Sequence, residues 1–117
     1  MNSFKKTLLL LELFFCASFV VRHHGWADYD QTKPQDFQTK IEEAIYENPH
    51  VLAKVKYNKE LITVFLAPTS RMTDRGLTAD MIKKGTPIRL VAYPHKTKKN
   101  EMRAERIFVD EQKYELR

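Results

Sequence analysis

The stretch "LITVFLAPTSRMTDRGLTADMIKKGTPIRLVAY", Leu61–Tyr93, decides how the chain is read. Its opening, "LITVFLA", is nearly continuous in apolar residues, the pattern of a central strand covered on both faces. Its end alternates: Ile88, Leu90 and Ala92 are set against Arg89, Val91 and Tyr93, a period of two with one buried face. Between the two strands lies a helical region. Thr69 or Ser70 can cap a short turn ending at Gly76. Thr78 then reads as an N-cap, with Asp80 in the first turn at the positive end of the helix dipole. Leu77 and Ile82 occupy the positions of a hydrophobic staple. Lys83 and Lys84 suit the C-terminal end, and Gly85 supplies a left-handed stop. A short helix is therefore expected over Thr78–Lys84.

Working outward, Phe37, Thr39, Ile41, Glu43 and Ile45 alternate with mainly polar neighbours and predict a first strand. "ENPH" interrupts it, because Pro49 cannot donate a ladder hydrogen bond and Asn48 favours a turn. Val51, Ala53, Val55 and Tyr57 form the buried side of a second strand, and "YNKE" turns into the third. Beyond Tyr93, "PHKTKKN" is a polar, basic loop. A fifth strand runs from Met102 to Val109 with imperfect alternation, and the tail "DEQKYELR" can extend it. Three strands, a helix and two strands is the element order of a small OB-type barrel. The fold class is thus mainly β: a five-stranded OB-like barrel with one short helix between strands three and four. Another small β-rich α+β domain is the rival.

The barrel does not use the whole chain of 117 residues. Lys5 and Lys6 precede the apolar run Thr7–Val21, which is shorter than the roughly 20 residues of a membrane span and fits a signal-peptide h-region. Residues 1–21 therefore read as a signal helix, cleaved or retained as an anchor, and 22–35 as an arm with Pro34 and little periodicity. Residues 36–117 form the domain. This places the protein in the periplasm or outside the cell. Cys16, the single cysteine, lies in the signal segment, so the domain has neither a disulfide nor a thiolate ligand. The net charge of +5 reads as solubility and weak attraction to anionic surfaces rather than nucleic-acid binding. Membrane contact is expected only through the N-terminal segment.

The four histidines sit in compact motifs: His23-His24 in "HHGW", His50 in "NPH" and His95 in "YPH". In an OB barrel, His50 falls between strands one and two and His95 between strands four and five, the loops that flank the ligand face. The arm is long enough to bring His23 and His24 to them. Imidazoles without thiolate suit copper(II) or zinc, and the thioethers of Met72 and Met102 favour copper(I). Histidines beside proline also serve simply as turn acceptors, and both methionines suit a core. Two readings stay open. The first is an exported binding protein holding a copper or zinc ion through His23, His24, His50 and His95. The second is a metal-free module for an envelope protein, a glycan or a small anionic ligand. For the second, Trp26 and Tyr93 offer ring faces, Arg71 and Arg103 offer anion contacts, and Asn48 lies in the "NPH" loop. No nucleophile elbow, phosphate loop or HExxH motif is present, so no enzyme is expected.

The motifs "HHGW" with "DYD", "ENPH", "APTSRMTDRGLT" and "YPHKTKKNEMRAERI" together resemble a small uncharacterised family of bacterial periplasmic proteins. Its members begin their mature chain near a His-His-Gly/Ser-aromatic motif and carry an Asn-Pro-His turn. The resemblance runs from about Val21 to Arg117. It rests on His23, His24, Gly25, Trp26, Asn48, Pro49, His50, Arg71, Met72, Gly76, Tyr93, Pro94, His95, Glu101, Met102 and Arg103. It implies export and a small β-barrel, without an activity. The chain departs from the family at the boundary, where "VVR" stands in place of an alanine-type cleavage site.

Cys16-Ala17-Ser18 offers the small-x-small pattern and predicts a mature start at Phe19, leaving His23 internal. N-terminal sequencing of the exported protein checks this. A start at His23 would instead free an α-amino group to chelate copper together with the ring.

Overall fold

The computed structural model describes residues 25–117; the expected signal helix, Arg22, His23 and His24 lie outside the described residues. The arm contributes a 3₁₀ turn, Trp26–Asp28. The strands are β1 (Gln35–Ile45), β2 (Leu52–Tyr57), β3 (Glu60–Phe65), β4 (Pro87–Pro94), β5 (Glu101–Val109) and β6 (Gln112–Glu115). One α-helix, α1 (Thr69–Asp74), and a second 3₁₀ turn, Ala79–Ile82, connect β3 to β4. Among the described residues no helix is long and apolar enough to cross a membrane.

Closure follows from the length of β1. Gln35–Lys40 pair antiparallel with β4, whereas Ile41–Ile45 pair antiparallel with β2, with a register shift between Ile41 and Glu43. Such a bulge bends a strand and lets it serve two neighbours. The backbone at the bend is satisfied by the chain entering β4: Ile41 N donates to Thr86 O at 3.0 Å, and Gly85 N donates to Ile41 O at 2.7 Å. Gly85 sits at φ +89, a conformation that glycine adopts without a Cβ penalty. β2 continues to β3, β3 pairs in parallel with β5, and β5 returns antiparallel to β4. Five strands thus close in the order β1-β2-β3-β5-β4, the OB-like barrel expected from the element order.

Inward residues of each of the five barrel strands fill the interior, among them Ile41, Val55, Val64, Leu90 and Ile107, all almost fully buried. The β3–β4 connection closes one end with Met72, Leu77 and Ile82, each at 0% exposure. Tyr46, following β1, holds this plug by donating its hydroxyl to Leu77 O at 2.8 Å.

Two local expectations need correction. The α-helix is Thr69–Asp74, and the expected helix at Thr78–Lys84 is only a 3₁₀ turn whose Thr78 side chain makes no capping bond. Lys83 is already extended, because Ile82 must enter the core while Gly85 N reaches Ile41 O two residues further on. That demand overrides the capping signals. α1 is capped from outside: the Asn48 side-chain oxygen accepts from Thr69 N at 3.3 Å and from Thr69 Oγ1 at 2.7 Å.

The C-terminal tail does not extend β5. It turns back at Asp110 and Glu111, both at positive φ, and pairs antiparallel with β5 as β6. This is the backbone of a two-residue primed hairpin turn. Asn58 and Lys59 make the same kind of turn between β2 and β3.

Leu90 lies in β4, between β1 and β5, with no exposed surface. Leu90→Ala is expected to lower the unfolding free energy by about 2–5 kcal/mol, through lost burial and the cavity left behind. Urea denaturation monitored by circular dichroism checks this.

Candidate functional site

One end of the barrel gathers three segments: the arm, the β1–β2 loop carrying His50, and the β4–β5 loop carrying His95. The arm is held by backbone pairing. Asp30 N donates to Pro94 O at 2.8 Å, Lys96 N donates to Asp28 O at 2.9 Å, and Tyr29 forms a β-bridge with His95. Tyr29 is buried, and its hydroxyl donates to Glu101 Oε2 at 2.7 Å. Burial first, and then this bond to a carboxylate, push the phenol pKa far above its ordinary value of 10, because both disfavour the phenolate.

Trp26 lies against two guanidiniums, with Arg103 4.7 Å and Arg117 4.2 Å from the ring centroid. It also meets Tyr29 and Tyr93 edge-on, at 6.4 and 5.8 Å. Cation–π and edge contacts of this kind each contribute on the order of 0.5–1.5 kcal/mol. Together they make Trp26 the anchor of the arm.

These segments border a half-open cavity of about 540 Å³ lined by Gly25, Trp26, Asp28, Tyr29, His50, Phe65, Arg71, His95, Lys98, Glu101 and Arg103. Trp26, His50, Arg71, His95 and Arg103, all singled out from the sequence, therefore meet in one place. Four others do not line it. Asn48 caps α1. Met72 and Met102 belong to the core, at 0% and 7% exposure. Tyr93 packs on Trp26 and donates its hydroxyl to Glu105 Oε2 at 3.1 Å. His23 and His24 lie outside the described residues.

Phe65, Lys98, Tyr29, Asp28 and Glu101 complete the wall. Of this group, Glu101 was among the residues on which the family resemblance rests, and a strand projects it to the same side as Arg103 two positions on. Phe65 carried no such signal, because it enters the cavity only through its parallel partner Arg103.

The electrostatics are uneven. Neither Arg71 nor Arg103 forms an ion pair among the described residues. Arg71 Nη1 donates to Leu116 O at 3.2 Å, whereas Arg103 Nε is buried without a hydrogen-bond partner. Burial pulls the Arg103 pKa down; Tyr29 opposes this, and the neighbouring charges of Arg71 and Arg117 add to it. His50, edge-on to Phe65 at 6.2 Å, is held below the usual imidazole value by burial first, then by Arg103 and Arg71.

His95 is committed to its loop. Its Nδ1 accepts from Thr97 N at 3.1 Å and Lys98 N at 3.0 Å. The ring proton is therefore assigned to Nε2, which faces Glu101 Oε2 at 3.9 Å. A metal at Nε2 would require that proton to move to Nδ1, where it meets two N–H donors. Among the described residues no group of three or more His, Cys, Asp or Glu side chains is placed to hold a metal ion.

The family of unknown function DUF6152 matches residues 13–103. The match spans the arm, both loops and the cavity side of β5, and the chain belongs to this family. No curated protein matches the chain.

The His50 shift carries a pH dependence with a defined sign. Below the ordinary value of 6.5 the unfolded chain takes up a proton that folded His50 resists. The contribution is therefore full above about pH 6.5 and is lost as pH falls through the folded pKa. His50→Gln is expected to flatten the fall in melting temperature between about pH 7 and about pH 5. Thermal scans of both proteins across that range measure it, and parallel slopes would assign the effect to another group.

Proposed function

We propose that the chain is a small exported binding module of the bacterial envelope whose cavity takes a small anionic ligand. The observation that carries this reading is the pair Arg71 and Arg103. The two guanidiniums line one cavity, neither is ion-paired among the described residues, and the Arg103 Nε is buried without a partner. A buried, unsatisfied cationic donor is costly. A carboxylate or phosphate in the pocket would offset the charge of Arg71 and Arg103 and take charge-assisted hydrogen bonds from their accessible N–H groups, for which the planar guanidinium is well suited.

Size is compatible with this role, since about 540 Å³ lies within the range of small-molecule sites. The loops that build the cavity are those OB barrels use for ligands. Export rests on Lys5, Lys6 and the apolar run Thr7–Val21. The reading is one of binding, supported by the arginine and aromatic side chains that line the pocket among the described residues.

A copper or zinc site is the competing reading of the same cavity, because His50 and His95 both line it. Two guanidiniums repel a divalent cation, and His95 has its Nδ1 occupied, so the anionic reading is preferred.

Titration calorimetry of the processed protein with phosphate, acetate, Cu(II) and Zn(II) separates the two. Anion binding is expected, weakened by about tenfold to a hundredfold in Arg103→Ala, the magnitude of a lost hydrogen bond to a charged group. Micromolar copper binding that disappears in His50→Ala and His95→Ala, with no anion bound, would overturn the proposal in favour of the metal.

A further inference from the structure

The cavity is bipolar. Glu101 and Arg103 both line it from β5, while Met102 between them points into the core. Strand geometry places their Cα atoms about 6.6 Å apart on the same side. Arg71 reinforces the arginine end: the charges felt by His50 there are those of Arg103 and Arg71. Asp28 also lines the cavity, and Tyr29 feels the charges of Glu101, Arg103 and Asp28, in that order.

The two ends also share unused bonding capacity. Arg103 Nε has no partner. Glu101 spends only Oε2, accepting from the Tyr29 hydroxyl and facing His95. Its Oε1 makes no hydrogen bond or ion pair among the described residues and is not sealed from solvent. A carboxylate oriented by a buried tyrosine, with one oxygen free in a cavity, is an acceptor waiting for a donor. A simple anion satisfies only the arginine end and brings negative charge towards Glu101.

We infer that the ligand is amphoteric, carrying an anionic group that meets Arg71 and Arg103 and an ammonium group that meets Glu101 Oε1. This rests on the anionic-ligand reading and narrows it to a class: small ammonium carboxylates such as amino acids, or ammonium phosphates of the phosphoethanolamine type. The shared chemistry is two opposite charges a few bond lengths apart, matching the side-by-side projection of Glu101 and Arg103. Lys98, exposed at the mouth of the cavity, is not part of this pair.

Two matched comparisons on the processed protein test it by titration calorimetry: γ-aminobutyrate against butyrate, and phosphoethanolamine against phosphate. In at least one pair the amphoteric member is expected to bind about tenfold more tightly, the order of one charge-assisted hydrogen bond in a partly open site. The pair that shows the preference identifies the source. Glu101→Gln, which keeps an acceptor for the Tyr29 hydroxyl, is expected to erase that preference by weakening the amphoteric member, while the simple anion, relieved of a neighbouring negative charge, binds at least as tightly as before; circular dichroism checks that the variant is folded. Equal affinity within both pairs, or a preference that survives Glu101→Gln, overturns the inference and leaves anion binding standing. No binding by any of the four overturns both.

Discussion

The parallel pairing of β3 with β5 is the contact on which the rest of the molecule depends. It consists of the register Thr63↔Glu101, Val64↔Met102 and Phe65↔Arg103, reinforced by Thr63 N donating to Asn100 O at 2.9 Å. Without it, the sheet would stay open in the order β3-β2-β1-β4-β5-β6, with β3 at one edge and β6 at the other. With it, the interior residues of all five barrel strands face one another, and the hydrophobic surface of β3 and β5 is removed from water. Long-range parallel pairing of this kind carries a loop-closure cost, which the burial of Val64, Met102 and Ala104 offsets.

The same register builds the cavity. Because side chains alternate, pairing Val64 with Met102 inward necessarily turns Phe65 and Arg103, and Glu101 with them, to the other side. A slip of one residue would bury the charges and expose the core. The arm then completes the site: Trp26 rests against Arg103, and Tyr29 bonds to Glu101. Its aromatic residues thus fix the directions of the two charged groups that the ligand reading uses. A segment that looks like a polar leader in the sequence becomes a wall of the pocket, held by backbone pairing to the β4–β5 loop.

Much of the architecture was legible because it depends on local pattern. Alternation along β1, β2 and β4, the apolar run of β3 and the Pro and Gly interruptions report burial and backbone freedom residue by residue. Local signals failed where distant demands competed with them. The staple and cap residues around Thr78 describe a helix, yet the reach from Ile82 in the core to Gly85 beside Ile41 leaves room for a single 3₁₀ turn. The hairpin at Asp110-Glu111 contains no glycine, so its primed turn was hidden in residues that adopt positive φ less often.

The candidate site divides in the same way. The sequence by itself determined the chemical inventory: histidines in proline-bounded loops, arginines at 71 and 103, a tryptophan in the arm, and an element order that places both loops at one end of a barrel. Only the tertiary structure decided how these groups are used. It committed the His95 ring to its own loop, sent Met72 and Met102 into the core, and anchored Trp26 against arginines. It also left the Arg103 Nε buried without a partner. The physical reason is that hydrogen-bond satisfaction and charge pairing are properties of neighbours in space. Which neighbours a side chain has is set by barrel closure, through contacts between residues far apart in the chain.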